Sequence, residues 1–420
     1  MPIAAAPKYL GNNFDDASCA LRFGMYLKLW GIDSKSKETL WKTHDQNYCR
    51  TGRDRQERLS RDSNKTSALK GAAPLNESDR KLMDEFVERQ KKLFQTIPEK
   101  VGLQLFTESV APFTTGLGNE HPLENGFAFL NPYGLPYLPG SGVKGVVRRA
   151  AEELAGIAPG VGWEDASDWT EQDIDDLFGL ASDKGAIDAC RGALSFWDVM
   201  PQVKGSKLMV EIMNPHYSHY YQPKLTDRES SASPHDSGQP VPITFLTVPP
   251  GSAFTFYVVC DSKRLSPDLA ENGHWQKLLT SAFEHAFDWC GFGAKTAVGY
   301  GAMERDTKAE EEQKRKVEQQ KKKEAEERER QERMAAMDPI EREIQETLDN
   351  RTDENVPEVT EIIKAMEAGR WRGEQKIKVA QWLKNKMSKE KRWRESGSTN
   401  KKNNKDYQRT LRVIAWLEGK

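Results

Sequence analysis

Between Val101 and about Glu304 the apolar residues come in short β-branched and aromatic runs: VGLQLFTESV, GFAFLNPY, ALSFWDVM, KLMVEIMN, PITFLTV and AFTFYVVC. Runs of this length between Gly/Pro-rich loops predict strands. Pro249-Pro250-Gly251-Ser252, between the last two runs, predicts a hairpin joining them. Twice the period switches from two to 3.6. After Gly140-Ser141-Gly142, the residues Val143, Val146, Val147, Ala150, Ala151 and Leu154 fall on one stripe, and so do Trp275, Leu278, Leu279, Ala282, Phe283, Ala286 and Phe287. Each stripe predicts an amphipathic helix. The order strand, helix, several strands, helix, strand predicts an α+β sandwich of the ferredoxin-like kind, with both helices on one face of an antiparallel sheet.

The flanks differ. Residues 1–100 read as a mixed, largely helical extension, with a weak strand near Leu21–Trp30 and a polar stretch crowded by Arg50, Arg53, Arg55, Arg58 and Arg61. A helix is expected after Asn76, carrying Leu82, Phe86, Leu93 and Ile97 on one face and ending at Pro98. Arg305 to Arg333 holds eleven basic and ten acidic residues with almost nothing apolar, so residues 305–337 read as a solvated helical linker, not a coiled coil. Asp338-Pro339 then has the form of an N-cap followed by Pro at the first helical position, with Ile340, Ile344 and Leu348 on one stripe. Helical patterns at Val359–Met366, Ile377–Met387 and Tyr407–Leu417 complete a small all-helical module over residues 338–420.

Composition narrows the classes. A length of 420 residues suits two to three domains, and the charged content of 30% fits the solvated linker. No apolar run is long enough to span a membrane, and the first residues lack the regions of a signal peptide, so a cytoplasmic protein is expected. Five scattered cysteines with no CxxC argue against a disulfide framework or a zinc knuckle. The net charge of −2 hides an asymmetry: residues 151–183 carry ten carboxylates and no Lys or Arg, whereas residues 371–420 hold fifteen Lys/Arg against five Asp/Glu. Trp371, Trp382, Trp393 and Trp416 interleave with that basic excess; they read as the core of the module, with RNA contact as the alternative.

Two constellations carry candidate chemistry. In the first, Gly140, Ser141, Gly142 and Gly145 accompany the start of a helix whose polar face presents Lys144 and Arg148 at i and i+4. Such a start leaves backbone N–H groups and a helix dipole for a phosphate. An ordinary Ser-capped helix with a solvated basic face explains the same residues. In the second, Gly291, Gly293, Gly299 and Gly301 surround Lys295, Thr296 and Tyr300, offering backbone freedom, a cation, a hydroxyl and a stacking face. It is no nucleotide-triphosphatase loop, because Gly293 and Lys295 are separated by Ala294 and the segment follows a helix. If its backbone approaches RNA, the loop is expected to bury few side chains; a structural turn between helix and edge strand is the competing reading.

Together the two segments resemble the RAMP (repeat-associated mysterious protein) superfamily of CRISPR systems. Thr115-Gly-Leu-Gly118, His121-Pro-Leu-Glu124, Leu194-Ser-Phe-Trp-Asp198, Met213-Asn-Pro-His-Tyr217 and Pro240-Val-Pro-Ile-Thr-Phe-Leu246 sharpen the likeness toward the sixth-subunit family of the type III-B (Cmr) effector. The resemblance covers roughly residues 101–305. It implies an RRM-like RAMP core and a non-enzymatic subunit that contacts the 3′ part of the guide RNA and caps a filament of backbone subunits. Its implied partners are CRISPR guide RNA, the other RAMP and backbone subunits and, indirectly, target RNA. It implies RNA contact by Gly140, Ser141, Gly142, Lys144, Gly145 and Arg148, and by Gly291, Gly293, Lys295, Thr296, Gly299, Tyr300 and Gly301. No cofactor or metal is expected. The alternative is a RAMP-type endoribonuclease using one of His121, His216, His219 or His235 as its proton shuttle; polar-loop histidines with structural bonds are the simpler reading.

Overall fold

The computed structural model of the protein describes residues 7–11, 13–32, 39–41, 47–48, 59–60, 64–157, 168–180, 190–214, 242–351, 356–397 and 401–419. The Arg50 to Arg61 cluster and His216, His219 and His235 lie outside them. The chain divides into two compact units, Met1–Glu311 and Glu312–Lys420.

The first unit begins with three helices, α1 (Cys19–Phe23), α2 (Asn64–Ala72) and α3 (Glu77–Gln95). Asn76 caps α3 in a reciprocal box with Asp79, satisfying two backbone donors that a helix start leaves open. The central elements follow in the order β1 (Gly102–Ser109), α4 (Gly140–Leu154), α5 (Glu171–Phe178), β2 (Leu194–Phe196), β3 (Met209–Met213), β4 (Ile243–Thr247), β5 (Ala253–Cys260), α6 (His274–His285) and β6 (Met303–Arg305). Four strands form one antiparallel sheet in the order β2-β5-β1-β6, and β3 pairs with β4 separately. This is a mixed α/β architecture, in accord with the fold class expected for the core.

The register puts Leu103, Leu105 and Thr107 opposite Val258, Phe256 and Phe254, so these six side chains share one face of the sheet. The buried stripes of α4 and α6 close over that face; Phe256 stands 5.3 Å from Phe283 and 5.0 Å from Phe292, ring centroid to centroid. The opposite face is covered in part, with Glu108 left exposed on it. The end of α3 lays Phe94 4.9 Å from the Tyr257 ring and 5.8 Å from Trp197. Burial pushes the Tyr257 phenol up to about 12.

Three expectations need correction. The weak strand near Leu21–Trp30 is α1 followed by a short strand, Trp30–Ile32, paired with Thr39–Trp41. On α3 it is Met83 that is buried, while Leu93 is 57% exposed and Phe94 packs in its place. The segment Pro249–Ser252 does not close a hairpin: β4 bonds to β3, and β5 to β1 and β2. Gly251 N–H donates to the Ser109 carbonyl (2.6 Å) and Ser109 N–H to the Ser252 carbonyl (2.9 Å), so the chain crosses from one sheet to the other at this turn.

The second unit contains most of the long helix α7 (Thr307–Ala336), which buries no residue of its own, then α8 (Pro339–Asp349), α9 (Glu358–Glu367), α10 (Glu374–Lys389) and α11 (Lys401–Leu417). Asp338 caps α8 by accepting from Ile340 N–H at 3.0 Å. Ile340, Ile344, Ile362, Val379, Leu383 and Val413 form the core with Trp371, whose Nε1–H donates to Glu343 Oε2 at 2.6 Å. Trp382, Trp393 and Trp416 pack against it half-buried.

Candidate nucleic-acid interface

Helix α4 starts differently from the Ser-capped form the sequence offers. Its N-cap is Pro139, and the first helical residue is Gly140, whose N–H donates to Asp198 Oδ1 at 2.7 Å. A carboxylate of the chain itself therefore occupies the positive end of the helix, where a phosphate was expected. Gly140 is needed for this approach: a Cβ there would stand 2.3 Å from the Phe196 carbonyl oxygen. Ser141 is exposed on the first turn, and Gly145 is exposed with nothing within 4 Å of a would-be Cβ.

The two cations of this face part ways. Arg148 donates from Nε to Glu152 (2.9 Å) and from Nη1 to the Gly179 carbonyl (2.7 Å) that ends α5, with Asp175 at 3.9 Å. Its guanidinium ties two helices together. Lys144, half-buried, has no ion-pair partner among the described residues.

In the Gly-rich loop the glycines are demanded by packing at three of four positions. Gly291, Gly293 and Gly301 have φ of +68°, +91° and +73°. A Cβ at Gly293 would stand 2.3 Å from the Thr114 carbonyl oxygen, and one at Gly301 1.8 Å from that of Phe292. The loop is laced to the strand end by Ala294 N–H to Thr114 O (2.8 Å) and Gly301 N–H to Pro112 O (2.9 Å). Phe292 is fully buried between them, while Ala297 and Val298 are exposed, so the loop buries few side chains, as expected, yet its backbone is tightly packed. Gly299, at φ +92°, faces open space.

Lys295 reaches to the β3–β4 pair, with Nζ 3.2 Å from Met213 Sδ and 5.3 Å from the Phe245 ring centroid. Tyr300 stacks obliquely on the same ring at 5.7 Å, its phenol pushed up by burial and by the Glu211 carboxylate. The Thr296 side chain lies against Gly291. These side chains thus contact their own unit, through Met213 and Phe245, which the sequence marks only as parts of the family-like segments and not as partners of this loop.

The Gly-rich loop starts beside the end of α4 opposite to Gly140. Glu153, near the end of α4, lies 2.9 Å from His285 and 3.8 Å from Cys290, the residue before the loop. Along α4, at 1.5 Å per residue, that is roughly 20 Å from Gly140. Glu153, His285 and Cys290 also form a group able to hold a metal ion, which no spacing in the sequence announces. Burial and the neighbouring Glu153 push the Cys290 thiol up to about 11.

His121 is the one sequence-nominated histidine among the described residues. Its Nδ1 accepts from Leu123 N–H (3.2 Å), its Nε2 meets the Phe23 carbonyl (2.9 Å), and its ring stacks on Phe23 at 4.0 Å. Both nitrogens serve the backbone, and burial holds its pKa below the ordinary value.

Residues 108–304 match the family model of the RAMP superfamily. Among curated proteins, the CRISPR system Cmr subunit Cmr6 of Pyrococcus furiosus is 27% identical over 274 residues, spanning 53% of this chain and 75% of that protein. The CRISPR system CMR subunit Cmr6 of Saccharolobus solfataricus is 25% identical over 230 residues, spanning 54% of this chain and 64% of that protein. Among solved structures, the crystal structure of Cmr6 from Pyrococcus furiosus aligns over 50% of this chain and 99% of that chain, at 23% identity and a TM-score of 0.30. The type III-B Cmr-beta bound to cognate target RNA, seen by cryo-electron microscopy, aligns over 57% and 70%, at 19% identity and a TM-score of 0.40. The matched residues run from the end of β1 into β6. Over about half of its length the chain is similar to the Cmr6 proteins, which is a likeness to RAMP subunits of type III-B CRISPR systems. Among the described residues no helix is long and apolar enough to cross a membrane.

Proposed function

We propose that this chain is a RAMP subunit of a type III-B CRISPR ribonucleoprotein, a non-enzymatic piece that contacts the 3′ part of the guide RNA and caps the row of backbone subunits in the cytoplasm. The observation that carries it is the RAMP match over residues 108–304, joined to two Cmr6 relatives over more than half of the chain. The sheet order β2-β5-β1-β6, with α4 and α6 on one face, supports the finer reading of an RRM-like core. An RRM grips bases on its helix-free face. Here Phe94 of α3 covers the Tyr257 and Trp197 part of that face, which favours RNA contact from the loops instead. Ser141 and Lys144 are the groups of the helix start best presented for a phosphate, since Asp198 and Gly179 already hold Gly140 and Arg148.

An endoribonuclease reading needs a proton shuttle, and His121 is committed to two backbone groups. The reading is tested by isolating the chain from its native cells, sequencing the bound RNA and identifying the co-purified proteins. Repeat-derived guide RNA with other Cmr-type subunits is the expected result. Recovery of the chain with neither, or discrete cleavage of CRISPR transcripts by the purified chain alone, overturns it.

A further inference from the structure

Glu153, His285 and Cys290 come from two parts of the fold and meet away from the helix start of α4. Glu153 Oε2 lies 2.9 Å from His285 Nε2 and 3.8 Å from Cys290 Sγ, and the three ligand atoms all lie within 4.8 Å of one another. Bonds of about 2.0 to 2.3 Å from oxygen, nitrogen and sulfur to a tetrahedral zinc ion put ligand atoms roughly 3.3 to 3.7 Å apart. The side chains need only small adjustments to reach that spacing.

The backbone contributes independently. His285 and Cys290 are five residues apart, and on a regular α-helix such positions diverge by roughly 140°. Here α6 widens into a π-helical turn, Ala286–Cys290, closed by Gly291 N–H to the Ala286 carbonyl at 2.8 Å. The wider turn brings Cys290 round toward the face that carries His285, and such turns occur often at functional sites. Glu153 is oriented from outside by Arg149, whose Nε donates to its other oxygen, Oε1, at 2.9 Å. An outer hydrogen bond of that kind fixes a carboxylate ligand.

We propose that Glu153, His285 and Cys290 bind one zinc-class divalent cation, with water as its fourth ligand. The ligand set of one carboxylate oxygen, one imidazole and one thiolate suits a borderline-soft ion better than magnesium or calcium, which take oxygen ligands. A thiolate and a carboxylate together bring two negative charges that a divalent cation balances. The ion pins the end of α4 to the end of α6, immediately before Gly291, and so anchors the Gly-rich loop.

The test uses the purified full-length protein, stripped of metal under reducing conditions and titrated with cobalt(II), then with zinc(II). One equivalent of cobalt should give intense visible bands of a tetrahedral site and a near-ultraviolet thiolate-to-cobalt band, both bleached by zinc. Cys290→Ser should abolish the thiolate band, Glu153→Gln should weaken cobalt binding at least about tenfold, and Cys190→Ser, at an exposed thiol, should change nothing. Zinc should also slow alkylation of Cys290 in the unmutated protein, read by mass spectrometry, a measurement that needs no variant to fold. Absence of the thiolate band, its persistence in Cys290→Ser, or alkylation of Cys290 at the same rate with and without zinc would leave only a hydrogen-bonded carboxylate and histidine, and the proposal fails.

Discussion

The helix start at Gly140–Arg148 and the loop at Gly291–Gly301 have nearly the same ingredients, four or so small residues and a cation or two, yet the fold uses them oppositely. In the loop, Gly291, Gly293 and Gly301 sit at positive φ against carbonyl oxygens or side chains that a Cβ would strike. In the helix start, Gly140 alone is pressed on a carbonyl, and Gly145 meets nothing. The cations divide along a different line: Arg148 of the helix start is spent on the α5 carbonyl and Lys295 of the loop on Phe245, whereas Lys144 of the helix start has no ion-pair partner among the described residues. A glycine-rich composition therefore reports close backbone approach, and whether the approaching group is RNA or the protein's own chain is decided by what stands where the Cβ would be.

The largest effect expected from this contrast is at Gly301. Alanine there must displace the Phe292 carbonyl and adopt a left-handed backbone, so Gly301→Ala should cost on the order of 3 to 5 kcal/mol. Gly145→Ala, in an exposed helix interior, should instead stabilise by about 0.5 to 1 kcal/mol. Urea midpoints of the two variants check both signs. A neutral Gly301→Ala would mean that the loop is not laced as described.

Next in size is Arg148→Ala. It strips the Gly179 carbonyl of its donor and leaves Glu152 and Asp175 unpaired, for a cost of about 1 to 2 kcal/mol. The same substitution should reduce RNA affinity no more than the loss of folded protein explains. A sharp fall in affinity at unchanged melting temperature would return Arg148 to the phosphate-binding role its sequence position suggests.

How much of this was legible beforehand depends on the length scale of the cause. The α6 stripe from Trp275 to Phe287 was read directly because its buried faces repeat at helical period, and Asp338-Pro339 because capping is local. The failed hairpin at Pro249–Ser252 shows the limit: the turn residues were right, but their bonding to Ser109, more than a hundred residues earlier, sends the strands to different sheets. Within the candidate site the sequence supplied the glycines and the cations. Asp198 and Phe245 stood in the quoted family-like segments, but their pairing with Gly140 and Lys295, like that of Gly179 with Arg148, was not legible, since nothing local announces which distant group a helix end or a cation will meet.

His121 offers a smaller and pH-dependent effect. Burial lowers its folded pKa below the ordinary 6.5, so between the two values the unfolded chain binds more protons. Its contribution to stability is therefore complete above pH 6.5 and is lost as pH falls through the folded value. Comparing unfolding free energies from about pH 8 down to pH 5, His121→Gln should show a flatter decline than the unmutated chain. Parallel profiles would mean that the histidine is not held neutral by Phe23 and Leu123.

The smallest effect on stability, and the sharpest on function, is expected at Lys144. Its ammonium has no ion-pair partner among the described residues, so Lys144→Ala should change stability by less than about 0.5 kcal/mol. If the lysine meets a phosphate of the guide strand, each lost contact should flatten the dependence of log affinity on log salt by about 0.7 and weaken different RNA sequences alike. Ser141→Ala removes a hydroxyl from the same turn without removing charge, and should lower affinity with the salt slope intact. The pair of variants separates a charged phosphate seat from a merely solvated helix face: with a solvated face, neither variant moves affinity or slope. Were only Ser141→Ala to matter, the helix N-terminus would bind RNA despite the Asp198 carboxylate beside it, and Lys144 would drop out of the interface.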